Sequence, residues 1–207
     1  MKAQLDVRRH GVRQARHRIV EAIPASELTI QLDLAVEVEK EEYRRRPEAF
    51  DTPVFGIRQL SFEGTTDSVA RLANAVPADV ELGFHLCALW HVYKGAGQDL
   101  RVHVDYANAL VRKINRPIAY FHIPTTPEFE EKDFAPLRDL KLQPGTKLFL
   151  GLIHAEDGLE GARRRVKAAQ SVVRDFGVGH FCGLSQWGAG PETVEPMLDL
   201  HRRTAAL

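Results

Sequence analysis

Cysteine is scarce in this chain: 207 residues hold two, Cys87 and Cys182, alongside two tryptophans and two methionines. So few cysteines exclude a disulfide scaffold and a compact CxxC zinc knuckle. Charge of one sign is missing too, because 28 Lys and Arg balance 28 Asp and Glu for a formal net charge of zero. No overall field draws nucleic acid or an anionic membrane, and neither is expected as a partner. There is no apolar run of about 18 residues, the length at which a membrane-crossing helix becomes a candidate. The opening Met1-Lys2-Ala3-Gln4-Leu5-Asp6 lacks the apolar core of a signal peptide. A cytoplasmic location is the resulting expectation, with both cysteines as reduced thiols. No GxGxxG follows a strand, and neither GxxxxGK[ST] nor GxSxG occurs. Dinucleotide, P-loop and serine-hydrolase chemistry therefore have no local support. With no internal repeat, low-complexity tract or linker, residues 1–207 are read as one domain.

What is present is ordinary globular material, 44% hydrophobic and 27% charged. Two arginine clusters, Arg44-Arg45-Arg46 and Arg163-Arg164-Arg165, are flanked by acidic and apolar residues and read as solvated helix faces. Apolar positions at helical spacing predict a helix from about Ala3 to Ala22, with Pro24 beyond its end. Short apolar runs predict strands at Leu28–Asp33, Glu81–Cys87, Pro117–Ile123, Lys147–His154 and Val178–Leu184. Helices are expected from Asp67 to about Ala75, from about Leu100 to Ile114, and from about Leu159 to Asp175, the last stopped by Gly177. Pro191 opens a final helix. Tyr43 to Gly64, with Pro53 and Gly56, reads as a long loop over the end of the first strand.

Strands alternating with helices predict an α/β fold built on a parallel sheet. Near-continuous apolar strands predict burial on both sheet faces. In such sheets and barrels, functional groups collect at the carboxyl ends of the strands. Asp33, His85, Cys87, His122, His154 and Cys182 all fall there. His85 and Cys87, two residues apart on one strand, point to the same side. Joined by Cys182 from another strand, they make a nitrogen and sulfur donor set suited to zinc. Against this stands the habit of buried cysteine to act as a small hydrophobe, so the reading requires those strands to share one sheet. His10, His17 and His201 lie on helical stretches and read as surface residues. His91 and His103 flank the loop after Cys87 and stand as substitute ligands or bases.

These motifs occur in a telling order: Ile30-Gln31-Leu32-Asp33, His85-Leu86-Cys87, Gly151-Leu152-Ile153-His154, Cys182-Gly183-Leu184, then Gly190-Pro191-Glu192-Thr193 and a helix. That order resembles the catalytic barrel of cobalamin-independent methionine synthase, in the superfamily that also holds uroporphyrinogen decarboxylase. The likeness spans essentially the whole chain but only the later, C-terminal portion of the family's barrel. It implies a partial (β/α)8 TIM barrel of about five parallel strands. It further implies a zinc cofactor held by His85, Cys87 and Cys182. The family's further ligand is a glutamate on the intervening strand; here His122 matches its position, which is a departure. Asp33 matches the carboxylate that holds the amino group of homocysteine, and His154 the histidine that acts as the acid in methyl transfer. Trp90-His91-Val92-Tyr93-Lys94 does not follow the family pattern.

The implied activity is methyl transfer from a nitrogen donor such as methyltetrahydrofolate to a thiol such as homocysteine, so the expected partners are a small-molecule thiol and a methyl donor. Zinc would stabilise the thiolate, and the ordinary pKa of His154 would suit it to protonate the leaving nitrogen. Three alternatives stand beside this: a metal-free decarboxylase-like lyase, a noncatalytic barrel fragment or binding module, and a redox pair formed by Cys87 and Cys182. A complete barrel takes about 250 residues. Self-association, or a second chain completing the barrel, is therefore expected.

Overall fold

Leu82 and Phe84, Phe121 and Ile123, and Leu148, Leu150 and Leu152 alternate along their strands and are all buried. Alternation of this kind gives each strand one apolar face, and the faces merge into a common core. The computed structural model describes residues 19–50, 61–87, 98–183 and 191–207. Its strands β1 (Thr29–Asp33), β2 (Glu81–His85), β3 (Tyr120–Pro124), β4 (Lys147–Ile153) and β5 (Gly177–His180) form one sheet in that order, each neighbouring pair parallel. Helices α1 (Ala35–Arg45), α2 (Phe62–Asn74), α3 (Leu100–Lys113), α4 (Gly158–Gln170) and α5 (Pro191–Thr204) alternate with them or follow the last. The fold is α/β, and its sequential strand order is that of a partial (β/α) barrel. No helix among the described residues is long and apolar enough to cross a membrane.

Local chemistry explains the helix starts. The Ser61 hydroxyl accepts from Gly64 N at 3.1 Å and caps α2, and the Asp99 carboxylate accepts from Arg101 N at 2.9 Å and caps α3. On α3, Leu100, Val104, Ala107 and Leu110 recur at helical spacing and are buried in the core. Each such leucine contributes roughly 1.5–3 kcal/mol relative to an exposed one.

Several expectations are corrected. Tyr43 lies within α1, not in a loop, and α2 starts at Phe62, well before Asp67. The apolar periodicity of α1 is weak because its inward stripe includes carboxylates: Val38, Glu41 and Glu42 are its buried residues. Gly177 opens β5 and does not stop a helix, since α4 already ends at Gln170. Residues 19–22 are helical, while the rest of the expected opening helix and residues 51–60 of the expected loop lie outside the described residues. Arg165 is wholly buried, against the expectation of a solvated face. Its Nε donates to the Leu152 carbonyl and its Nη1 to the Pro127 carbonyl, both at 2.9 Å.

Burial on both faces holds for most of β2 and β4 but fails on β1, where Thr29, Gln31 and Asp33 are exposed. In register with them lie Glu81, Gly83 and His85 of β2, then Tyr120 and His122 of β3. This second face is bound together by polar contacts. Tyr120 lies across Gly83, where a Cβ would stand 2.1 Å from its Cζ, and its hydroxyl donates to Gln31 Oε1 at 2.7 Å. Gln31 Nε2 in turn donates to Asp33 Oδ1 at 2.8 Å.

Glu42 carries a pH dependence. Its Oε1 accepts from Asp99 N at 2.7 Å, with Arg46 standing 3.6 Å away. Burial outweighs both contacts and pushes the carboxyl from 4.5 up to about 8. Between these values the unfolded chain releases a proton that the folded chain keeps. Glu42's contribution is thus fully present below about 4.5 and is lost as pH rises through about 8. In urea unfolding between about pH 5 and pH 8, a Glu42→Gln variant should lack a downward slope of about 1.4 kcal/mol per pH unit that the parent shows. Parallel slopes would place the ionised carboxylate in the folded state.

Candidate metal centre

Parallel pairing fixes the first part of the site. His85 is in register with Asp33 on β1 and with His122 on β3. The ladder continues beyond the strand, as Leu34 N donates to the His85 carbonyl and Leu86 N to the His122 carbonyl, both at 2.9 Å. Cys87 is thereby carried to the sheet's carboxyl edge, two residues past His85. Cys182 reaches the same edge from the end of β5, and the two Sγ atoms stand 3.6 Å apart.

A nitrogen of His85 and the sulfurs of Cys87 and Cys182 all lie within 4.8 Å of one another. Two sulfurs bound at about 2.3 Å to one tetrahedral ion stand roughly 3.8 Å apart, so the observed thiol spacing fits a shared metal. Both ring nitrogens of His85 are buried. A neutral imidazole keeps one nitrogen lone pair that can bind a metal. The Cys182 thiol is held below its ordinary value, first by the neighbouring Cys87 thiol and then by His85. The three residues therefore meet the chemistry of a metal ligand set.

His122 does not join that group. Its ring stacks on His85 with centroids 4.7 Å apart, and its Nε2 faces Gly179, 3.4 Å from where a Cβ would sit. Burial, then the neighbouring His85, push it down to about 3, so it is a neutral ring at neutral pH. The expected set of four ligands is thus three converging donors with His122 packed behind one of them. Asp33 stands exposed on the strand beside His85, its Oδ1 occupied by Gln31.

His154 is fully buried at the end of β4, its ring parallel to Phe181 at 5.2 Å. Phe181 adjoins Cys182 in sequence, so His154 packs against the segment that carries that thiol. Burial, then the charge of Arg165, push His154 down to about 3. The near-neutral pKa anticipated for a proton donor does not hold here: the ring is neutral and can offer a hydrogen bond through N–H. A cavity of about 320 Å³ opens at the adjacent Ala155, lined also by Thr193, Pro196, Met197 and Leu200 of α5, and includes none of the three donors.

Other histidines separate into structural roles. His103 is wholly buried, with Nδ1 3.2 Å from the Asp99 carbonyl and Nε2 3.0 Å from Gln98 Nε2, and burial pushes it down to about 4. It is a neutral core residue that anchors the start of α3. His201 is half-buried, with Nδ1 2.7 Å from the Met197 carbonyl. His180 was not among the sequence candidates, yet it is buried beside Phe181 with Nδ1 3.0 Å from the Cys182 carbonyl. Its signal lay in the segment His180-Phe181-Cys182 itself, where it orients the backbone that carries a thiol. His10, His17 and His91 lie outside the described residues. No family model matches the chain, and no curated protein matches it, so the site stands on its own geometry.

Proposed function

We propose that this chain is a zinc-dependent S-methyltransferase of the cobalamin-independent methionine synthase type, moving a methyl group from a methylated nitrogen of a folate-like donor to a homocysteine-like thiol. One observation carries the reading: His85, Cys87 and Cys182 converge at the carboxyl edge of a parallel sheet, with Asp33 in register beside His85. Three protein ligands leave a fourth position for substrate, the pattern of catalytic rather than structural zinc. Zinc, when bound, stabilises the thiolate of a substrate thiol at neutral pH. Asp33, exposed and steadied by Gln31, holds the substrate's ammonium group by a charge-assisted hydrogen bond. His154, a neutral ring buried just past β4, acts as a positioning residue for the donor half of the site. A cytoplasmic setting keeps both thiols reduced.

The test is conversion of homocysteine to methionine with a methylated folate and added zinc. Product is expected from the parent chain. An Asp33→Asn variant should raise KM for homocysteine by about 10-fold or more, with a smaller change in kcat, as befits a binding contact. Zinc binding without any product would instead assign the chain as a noncatalytic metal-binding module.

A further inference from the structure

Cys87 and Cys182 are 95 residues apart in sequence, yet their sulfurs are in van der Waals contact at 3.6 Å. Each lies two residues beyond the last residue of its strand, at the carboxyl edge of the sheet. The pairing of β4 with β5 is also irregular between Leu150 and Ile153, just before the segment that carries Cys182. A disulfide needs the sulfurs at about 2.05 Å, so closure takes a shift of roughly 1.6 Å. Two side chains beyond their strand ends can share that shift.

We infer that Cys87 and Cys182 form a peroxide-sensitive modification site, at which oxidation to a disulfide removes two of the three metal donors. The second part rests on the zinc reading above. Cys182 is half-exposed while Cys87 is buried, so Cys182 meets the oxidant first. Its thiolate attacks one oxygen of hydrogen peroxide, the O–O bond breaks, and hydroxide leaves, giving a sulfenic acid on Cys182. The Cys87 thiolate then attacks the Cys182 sulfur. An S–S bond forms as the S–O bond breaks, and hydroxide again leaves. With the two thiol protons counted, two thiols and one peroxide become one disulfide and two waters, the sulfurs supplying both electrons. His85 alone remains of the three donors and does not retain the ion by itself.

The experiment treats the reduced full-length chain, loaded with zinc, with hydrogen peroxide. Thiols are then titrated after denaturation, intact mass is measured, and released zinc is followed with a chromophoric chelator. The expected result is loss of both thiols, a mass lower by about 2 Da, release of the bound zinc, and reversal of all three by dithiothreitol. A Cys87→Ser variant should stop at the sulfenic acid on Cys182, trapped as a dimedone adduct. Thiols that persist in excess peroxide, or that gain oxygen without cross-linking, would overturn the inference while leaving the metal reading intact if zinc is bound. A disulfide formed in a protein that never binds zinc would keep the thiol chemistry and overturn the zinc release.

Discussion

Replacing Cys182 with alanine should weaken zinc binding by more than about 100-fold, beyond the roughly 10- to 100-fold typical of losing a partner in the shell behind the ligands. The size of the loss follows from the geometry. Among the described residues three donors converge, so removal of one leaves a single imidazole and a single thiolate, well short of the three protein ligands typical of catalytic zinc sites. Cys182 is the suitable position because it lies beyond β5 and is partly exposed, so the variant should keep its fold. Chelator competition measures the affinity, and circular dichroism checks the fold. An unchanged affinity in a folded variant would show that the sulfur is packing and not a ligand.

The second large effect is on stability. Arg165 is wholly buried, and Asp157 accepts from its Nη1 at 2.5 Å and from its Nη2 at 2.8 Å. The carboxylate occupies the space left by Gly161, where a Cβ would stand 1.8 Å from Asp157 Cγ. An Asp157→Ala variant strands a buried guanidinium, at a cost of about 3–5 kcal/mol in urea unfolding at neutral pH. Burial raises the Asp157 pKa, but the hydrogen bonds and charge of Arg165 outweigh it, and the net shift is downward. This contribution is present above the unfolded carboxylate's value of 3.8 and fades as pH falls through the lower folded one. The gap between parent and variant should therefore narrow on the acid side. A difference below about 1 kcal/mol at pH 7 would mean that water, not Asp157, satisfies Arg165. The pair also orders the end of β4, because Arg165 holds the Leu152 carbonyl two residues before His154.

The sequence pattern made the sheet and its donors legible for a physical reason. A period of two sets which side of a strand a residue faces, so His85 and Cys87 could be assigned to one side, and parallel strands end at a common edge where Cys182 could meet them. Pairing in register then brought Asp33 and His122 alongside His85. What the pattern hid were residues whose type misleads. Glu42 and Arg165 are residue types that usually face water yet are buried here, one as a neutral carboxylic acid and the other ion-paired, so neither reads as a core position in the sequence. Whether His122 converges with the thiols or stacks on His85 depends on side-chain packing, which spacing does not encode. The pKa of His154 is set by burial and then by Arg165, both contributed by tertiary structure.

The most direct test of the central claim is X-ray absorption at the zinc edge on the reduced, zinc-loaded chain. The account predicts one zinc per chain with two sulfur neighbours at about 2.3 Å and a nitrogen at about 2.0–2.1 Å, the remaining position taken by a light atom. A shell of nitrogen and oxygen alone, or no bound zinc in a folded chain, would contradict it.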